Sequence, residues 1–377
     1  MRTLLTVNVG SSSVRLDAFD LDRFDPNTPG RSRLAQVHHD RTVDVQPTSV
    51  LAQFVADQDV TTPVAVAHRI VSGGPSMTHT QVVTDLADIE RLNEFAPLHN
   101  PAMLTWLRAA RDVFGPQMPQ IAVFDTAFFA DLPTVARRYA LPPDIAEAHG
   151  IRRIGFHGLA HAWMARRWQQ LAPDGGETTR LISLQLGGGC SVAASAGVRP
   201  LDVSMGYSPV EGLVMATRCG ELDPNVVLHL LRSGGMSVEA VDRLLNGGSG
   251  LVGMAGSADL REVLQRTDPQ ARQAVDLYCY RIRKYVGAYF AVLGGADAIV
   301  FGGGVGENAA EIRHRTMAGM EWCGIRLDQK ANNAATGVEA RISAIDSTVQ
   351  VWVVPVDEGA VLAGEAADLL DQRRGTR

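Results

Sequence analysis

One device occurs twice in this chain, and it limits the fold more than any other feature. An apolar run, Leu4-Leu5-Thr6-Val7, leads into the turn Asn8-Val9-Gly10-Ser11-Ser12-Ser13 and then into a second strand-like run, Val14-Arg15-Leu16-Asp17-Ala18. About half a chain later, Leu181-Ile182-Ser183-Leu184 leads into Leu186-Gly187-Gly188-Gly189-Cys190-Ser191 and on into Val192-Ala193-Ala194-Ser195. Both segments read as β-hairpins, over about 3–20 and 180–199. Glycine- and serine-rich turns at strand ends expose backbone N–H groups that suit phosphate oxygens. The repeat therefore predicts two similar domains, each opened by such a turn and facing the other across a cleft.

The remaining pattern fits that plan. Short buried strands are predicted at 64–67, 121–124, 298–301 and 351–354, where apolar residues run without interruption. Asn100-Pro101, Asp223-Pro224 and Asp268-Pro269 read as helix starts, a capping side chain followed by proline in the first turn. The third of these helices carries Val275, Tyr278, Ile282, Tyr285, Val286 and Tyr289 on one broad face. Helical spacing also covers 85–96, a stretch from Glu307 to about 318, and the tail from 358 to 370. Residues 21–48, rich in Asp, Pro, Thr and Arg, read as loop. Strands alternating with helices in both halves make the class α/β with mixed sheets. A length of 377 residues is ample for two cores.

Charge and apolar content exclude several partners. The net charge is −6 with no basic block, which argues against nucleic acid. No apolar stretch approaches the roughly 18–20 residues that span a bilayer, so no membrane partner is expected. Polar Asn8 and Ser13 break the start before a signal-like apolar region forms, and the expected compartment is the cytoplasm. Cys190, Cys219, Cys279 and Cys323 are dispersed and read as free thiols.

A series of short motifs runs along nearly the whole chain. After the first turn come His68-Arg69-Ile70-Val71 with Gly73-Gly74, Pro97-Leu98-His99-Asn100-Pro101, Phe124-Asp125-Thr126-Ala127-Phe128 and Gly155-Phe156-His157-Gly158. Then follow Ser204-Met205-Gly206, Pro209-Val210-Glu211-Gly212-Leu213, Thr217-Arg218-Cys219-Gly220, Gly304-Val305-Gly306-Glu307-Asn308 and Pro355-Val356-Asp357-Glu358. In this order they resemble the acetate kinase family, whose architecture is shared with sugar kinases, actin and the heat-shock ATPases. The resemblance implies a duplicated ribonuclease H-like mixed-sheet core, the actin-like ATPase fold. It implies a first domain of 1–126 plus about 359–377 and a second of 127–358 that binds nucleotide and dimerises. It also implies a homodimer that moves the γ-phosphoryl group of ATP to acetate, reversibly, giving acetyl phosphate and ADP. Mg²⁺ is the implied ion and Mn²⁺ the alternative.

The chemistry can be argued from the residues as well. A carboxylate acceptor, with a pKa of about 4–5, is already a nucleophile at neutral pH, so no general base is required. The protein must position the reactants and neutralise charge. Arg69 and Arg218 suit that work, being permanently charged forks for carboxylate and phosphate oxygens. The family's matching histidine contacts the transferring group, which gives His157 that role. His99 divides between packing and catalysis, and His161 reads as structural. Glu358, just past a strand, is the best magnesium ligand, with Asn8 acting through water. Asp125 could orient Arg218 or a magnesium-bound water.

The triphosphate is expected against Gly187, Gly188 and Gly189 and against Gly303, Gly304 and Gly306, aided by a helix N-terminus at Glu307-Asn308. By resemblance, Arg15 and the Asp259-Leu260-Arg261 triplet also bind nucleotide. The resemblance also implies an apolar notch for the methyl group of the acid, at Val71, Leu98, Phe156 and Pro209. One CH₂ in such a notch is worth only about 0.8 kcal/mol, so discrimination between acetate and propionate should be modest.

The chain departs from the family mainly on the nucleotide side. Arg15 stands for the usual Lys, Gln185 for His, Gly188 for Asn, Leu260 for an aromatic and Ser72 for His; Asp357 and Gly359 replace Asn and Glu around Glu358. These changes leave open another NTP or pyrophosphate as donor, with ATP favoured, or a nucleotide-binding paralogue acting as a sensor or partner protein; the acid-binding residues are intact, and a propionate or short-chain fatty acid kinase is the alternative on the acceptor side. Retention of Arg69, Asp125, His157, Arg218 and Glu358 favours the enzyme.

Overall fold

A computed structural model describes residues 1–10, 13–40, 46–58, 60, 62–96, 100–172 and 179–375. Ser11 and Ser12 of the first turn, and Pro97, Leu98 and His99, lie outside the described residues. The chain divides into two compact units, one of Met1–Ala130 with Asp357–Arg377 and one of Asp131–Val356.

The first unit is built on a six-stranded mixed sheet. Its strands are β1 (Thr3–Val9), β2 (Ser13–Asp20), β3 (Arg33–Asp40), β4 (Ala65–Ile70), β5 (Gln81–Val82) and β6 (Gln120–Phe124), in the order β3-β2-β1-β4-β6-β5. β1 and β2 form the expected hairpin, with Asn8 opposite Arg15. β1, β4 and β6 run parallel, so their C-terminal ends share one edge. Every residue of β1 is buried, as a central strand covered on both faces requires. Leu5 and Val7 of β1 pack with Leu51 and Phe54 of helix Pro47–Asp57 and with Met103 and Leu107 of helix Asn100–Phe114. The C-terminal helix Glu358–Gly375 also lies against β1.

β3 corrects the reading of 21–48 as loop. It is an edge strand with one neighbour, β2, and its sequence RLAQVHHD is mostly polar. Leu34 is left exposed while Ala35 is buried. Pairing with β2, more than intrinsic preference, makes it a strand.

The second unit repeats the plan. β7 (Arg180–Leu186), β8 (Cys190–Ala196), β9 (Arg199–Val203), β10 (Ala298–Gly302), β11 (Ala340–Arg341) and β12 (Gln350–Val353) form a sheet ordered β11-β12-β10-β7-β8-β9. In each unit a hairpin is extended by a third antiparallel strand. On its other side stand two parallel strands, and a short antiparallel strand closes that edge. Helix Pro269–Leu293 packs across β7, β8 and β9 through Val275, Tyr278, Ile282, Val286 and Tyr289; Tyr285 on the same stretch is only partly buried. Its cap is Asp268, whose carboxylate accepts from Ala271 N. Asp223 does the same for helix Pro224–Arg232.

The helix expected from Glu307 begins earlier. It runs Gly303–Asn308, and a second helix runs Ala310–Met317. Gly303 has φ 76°, and a Cβ there would sit 2.6 Å from the Leu186 carbonyl. Only glycine turns that tightly off β10, and the helix starts at once. Among the described residues no helix is long and apolar enough to cross a membrane.

Candidate active site

In the first unit, four polar side chains gather at the shared edge of the parallel strands. Asn8 and Arg69 are each the second-last residue of their strands, Asp125 directly follows β6, and Glu358 begins the C-terminal helix. Arg69 donates through Nη2 to Asp125 Oδ2 at 2.7 Å and through Nη1 to Asn8 Oδ1 at 3.3 Å. Asn8 Nδ2 donates to Glu358 Oε2 at 2.7 Å, and that oxygen lies 3.7 Å from Arg69 Nη1. Burial works against the charge on Arg69, but Asp125 and Glu358 outweigh it and raise its pKa. Arg69 Nε is buried with no hydrogen-bond partner among the described residues, so one donor still calls for an acceptor. Asp125, expected to orient Arg218 or a magnesium-bound water, forms an ion pair here with Arg69 of the same unit.

In the second unit, His157 is the only described non-glycine residue with positive φ, at 57°. It stands before helix Gly158–Leu171 in a left-handed conformation that histidine adopts at a cost. Its Nδ1 is 2.9 Å from Ser191 Oγ. Its Nε2 edge faces the glycine turn: a Cβ on Gly189 would lie 3.0 Å from His157 Nε2 and 3.3 Å from Arg218 Nη2. Gly189 is thus the point on which histidine and arginine converge, and a Cβ there would push one of them aside by a few tenths of an ångström. Arg218 Nη1 donates to the Pro209 carbonyl at 2.9 Å, and burial lowers its pKa. No carboxylate pairs with it among the described residues, so an anion beside it would offset that burial.

The turn opens on a cavity of about 530 Å³. Gly187, Gly188, Gly304 and Asn308 line one part, and Leu251, Asp259, Leu260, Arg261, Leu264 and Tyr278 are among those that line another. Asp259 caps helix Leu260–Gln265 and pairs with Arg261 Nη2 at 2.6 Å, while Leu260 is buried against the cavity. The aliphatic wall offers hydrophobic contact to a flat ring but no aromatic stacking partner at 260.

A family model described as "Acetokinase family" matches residues 27–364. The chain is 42% identical to acetate kinase of Streptomyces avermitilis, over 97% of each chain, and 39% identical to acetate kinase of Solibacter usitatus, over 96% of each. The chain belongs to the acetokinase family. Among solved structures, that of Porphyromonas gingivalis acetate kinase matches with a TM-score of 0.84 and 35% identity, covering 98% of this chain and all of that one. A propionate kinase from Francisella tularensis matches with a TM-score of 0.86 and 30% identity, over 97% of this chain and 99% of that one.

Against the acetokinase expectations, the nucleotide residues divide. Gly187, Gly188, Asp259, Leu260, Arg261, Gly304 and Asn308 line the cavity. Gly306 instead packs beneath Phe301 and Leu186. Glu307 is a brace: its Oε1 accepts from Gly303 N at 2.9 Å and Val356 N at 3.0 Å. Arg15 lies in the sheet of the first unit, while the cavity is lined wholly by the second. Of the apolar notch, Val71 is buried in the first unit, Phe156 is buried and Pro209 partly buried in the second, and Leu98 is outside the described residues.

Acetokinases generally require a divalent metal. No cluster of three or more His, Cys, Asp or Glu side chains forms a closed metal site among the described residues. Glu358, with the Asn8 amide against it, fits an ion that brings most of its oxygens from phosphate and water.

Several supporting residues escaped sequence reasoning. Arg153 donates to the carbonyls of Val203 and Ser204 and to Glu211, holding the segment that leads to Pro209. Fully buried Arg313 binds the carbonyls of Gly306, Glu307, Asn332 and Ala335, and its pKa drops to about 10 through burial. Arg153 offered one signal, its place just before Gly155-Phe156-His157; Arg313 offered none.

Proposed function

We propose that this protein phosphorylates acetate with ATP, reversibly, to give acetyl phosphate and ADP. The observation that carries the reading is the approach of His157 Nε2 and Arg218 to Gly189, in the turn whose other two glycines line the cavity. It puts two donors to developing negative charge beside the place suited to a triphosphate. The acid is already ionised, so transfer needs no base and proceeds directly, in line, with no covalent enzyme intermediate. Arg69, held rigid by Asp125 and Asn8 and with Nε still to be satisfied, is suited to orient the carboxylate. Arg218 and His157 stabilise the charge on the equatorial oxygens in the transition state. Glu358 and Asn8 would hold Mg²⁺, with Mn²⁺ the alternative; when bound, the ion neutralises phosphate charge.

The working form is a homodimer joined through the second unit, in the cytoplasm where ATP is made. Helix Pro224–Arg232 supports the dimer: it has no buried residue, yet Val226 and Leu228 are exposed on it.

Hydroxylamine trapping of acyl phosphate tests the reading. Acetate with ATP should give product, propionate less and butyrate least. Arg69→Ala and Arg218→Ala should each lose roughly 10²-fold or more in turnover. No acyl phosphate from any of the three acids would refute the activity, and near-normal rates in both variants would remove these arginines from the mechanism.

A further inference from the structure

Behind His157 lies a buried chain of hydrogen bonds that no step above uses. His157 Nδ1 meets Ser191 Oγ at 2.9 Å; Ser191 Oγ meets His161 Nε2 at 2.8 Å; His161 Nδ1 meets Ser183 Oγ at 2.7 Å. Ser191 and His161 are fully buried and Ser183 nearly so. Burial, with His157 close by, lowers the His161 pKa well below its ordinary value, so that ring is neutral at pH 7. A neutral imidazole has one N–H and one bare nitrogen, and a hydroxyl donates once.

Two hydrogen arrangements then run the length of the chain. In one, Ser183 O–H donates to His161 Nδ1, His161 Nε2–H to Ser191, and Ser191 O–H to His157 Nδ1. In the other every bond is reversed, and Ser183 accepts from His161. The hydroxyl hydrogen of Ser183 would then be buried with no acceptor among the described residues, at a cost of about 1–3 kcal/mol. The first arrangement gives the Ser183 hydroxyl hydrogen its acceptor, His161 Nδ1. It places the His157 proton on Nε2, the nitrogen that faces Gly189 and Arg218.

We infer that Ser191 and His161 are positioning residues that fix His157 as an Nε2–H donor toward the transferring phosphoryl group. The inference rests on the acetate kinase reading for the identity of that group, but for a neutral His157 ring the tautomer follows from the chain of bonds and the neutral His161. Ser191 is the second residue of β8, the strand that leaves the glycine turn, so the strand that carries the turn over the cavity also sets the histidine.

The test is long-range ¹H–¹⁵N correlation spectroscopy on the full-length protein, with the His157 signals assigned by their loss in His157→Asn. The expected result is an Nε2–H ring at position 157. Ser191→Ala should turn it into a mixture of tautomers and lower kcat about 10-fold, with KM for acetate and for ATP changed less than about twofold. Ser191→Thr, which keeps the hydroxyl, should restore the tautomer and most of kcat. Ser183→Ala, three hydrogen bonds from His157, should also disturb the tautomer, which covers the case that a variant at 191 fails to fold. An Nδ1–H ring in the unmodified protein, or an unchanged tautomer and kcat in Ser191→Ala, would overturn the inference. A correct tautomer in a protein that never makes acyl phosphate would sink the activity and leave the assignment standing.

Discussion

At the scale of single residues, Gly189 shows how little space the site leaves. Its glycine is not a matter of backbone conformation, since no unusual φ is involved; it is a matter of two cationic or polar groups closing on one backbone atom. Gly189→Ala should therefore keep the fold and lose turnover. A displacement of His157 or Arg218 by a few tenths of an ångström to 1 Å costs on the order of 10–10²-fold in rate. The check pairs kcat with the thermal midpoint: an intact midpoint with a reduced kcat is expected, and an unchanged kcat would show that the crowding carries no function. The residues at the ends of strands, Arg69, Asp125 and Glu358, were legible in the sequence because a charged group directly after an apolar run has few places to go. Their partners were not. That Asp125 belongs to Arg69 depends on β4 and β6 lying side by side, which spacing along the chain does not encode.

At the scale of elements, the hairpins, the buried strands and the proline-started helices were readable, since each has a local cause in periodicity or capping. The edge strand β3 and the early start of helix Gly303–Asn308 were not, because sheet pairing and close packing against Leu186 decide them. β4 also carries a hidden pH dependence. His68 is fully buried, donates from Nε2 to Gln120 Oε1 at 2.7 Å, and has its pKa lowered to about 4 by burial. Unfolded, it titrates near 6.5, so between those values the unfolded chain binds more protons and folding loses stability as the pH falls. Between pH 7 and pH 5 this amounts to about 2 kcal/mol. Urea unfolding of the native protein should show that extra loss relative to His68→Gln. Equal losses in both would mean that His68 stays neutral in neither state or is not the group responsible. Buried His161 acts in the same direction and is common to both proteins.

For the whole molecule, the two sheets share one strand plan although no long sequence identity links the halves. Each unit has its own core, and the four free thiols report on one of them. All lie in the second unit, with Cys190 and Cys279 buried and Cys219 and Cys323 partly so. Burial raises the pKa of each, that of Cys279 to about 11. A thiol reagent should modify Cys219 and Cys323 at least about 10-fold faster than the other pair, which should react only as fast as the unit opens. Rapid labelling of Cys190, which donates to the Gly187 carbonyl, would mean that the turn over the cavity is open in the native state. What the amino-acid order determined unaided was the α/β class, the doubled hairpin and the kinds of charge the chemistry needs, because these follow from interactions between near neighbours. What the tertiary structure decided was which arginine each carboxylate holds, where the cavity lies and which nitrogen of His157 faces Gly189. Those depend on residues far apart in the chain, and only the sheet register and the packing of helices bring them within hydrogen-bonding distance.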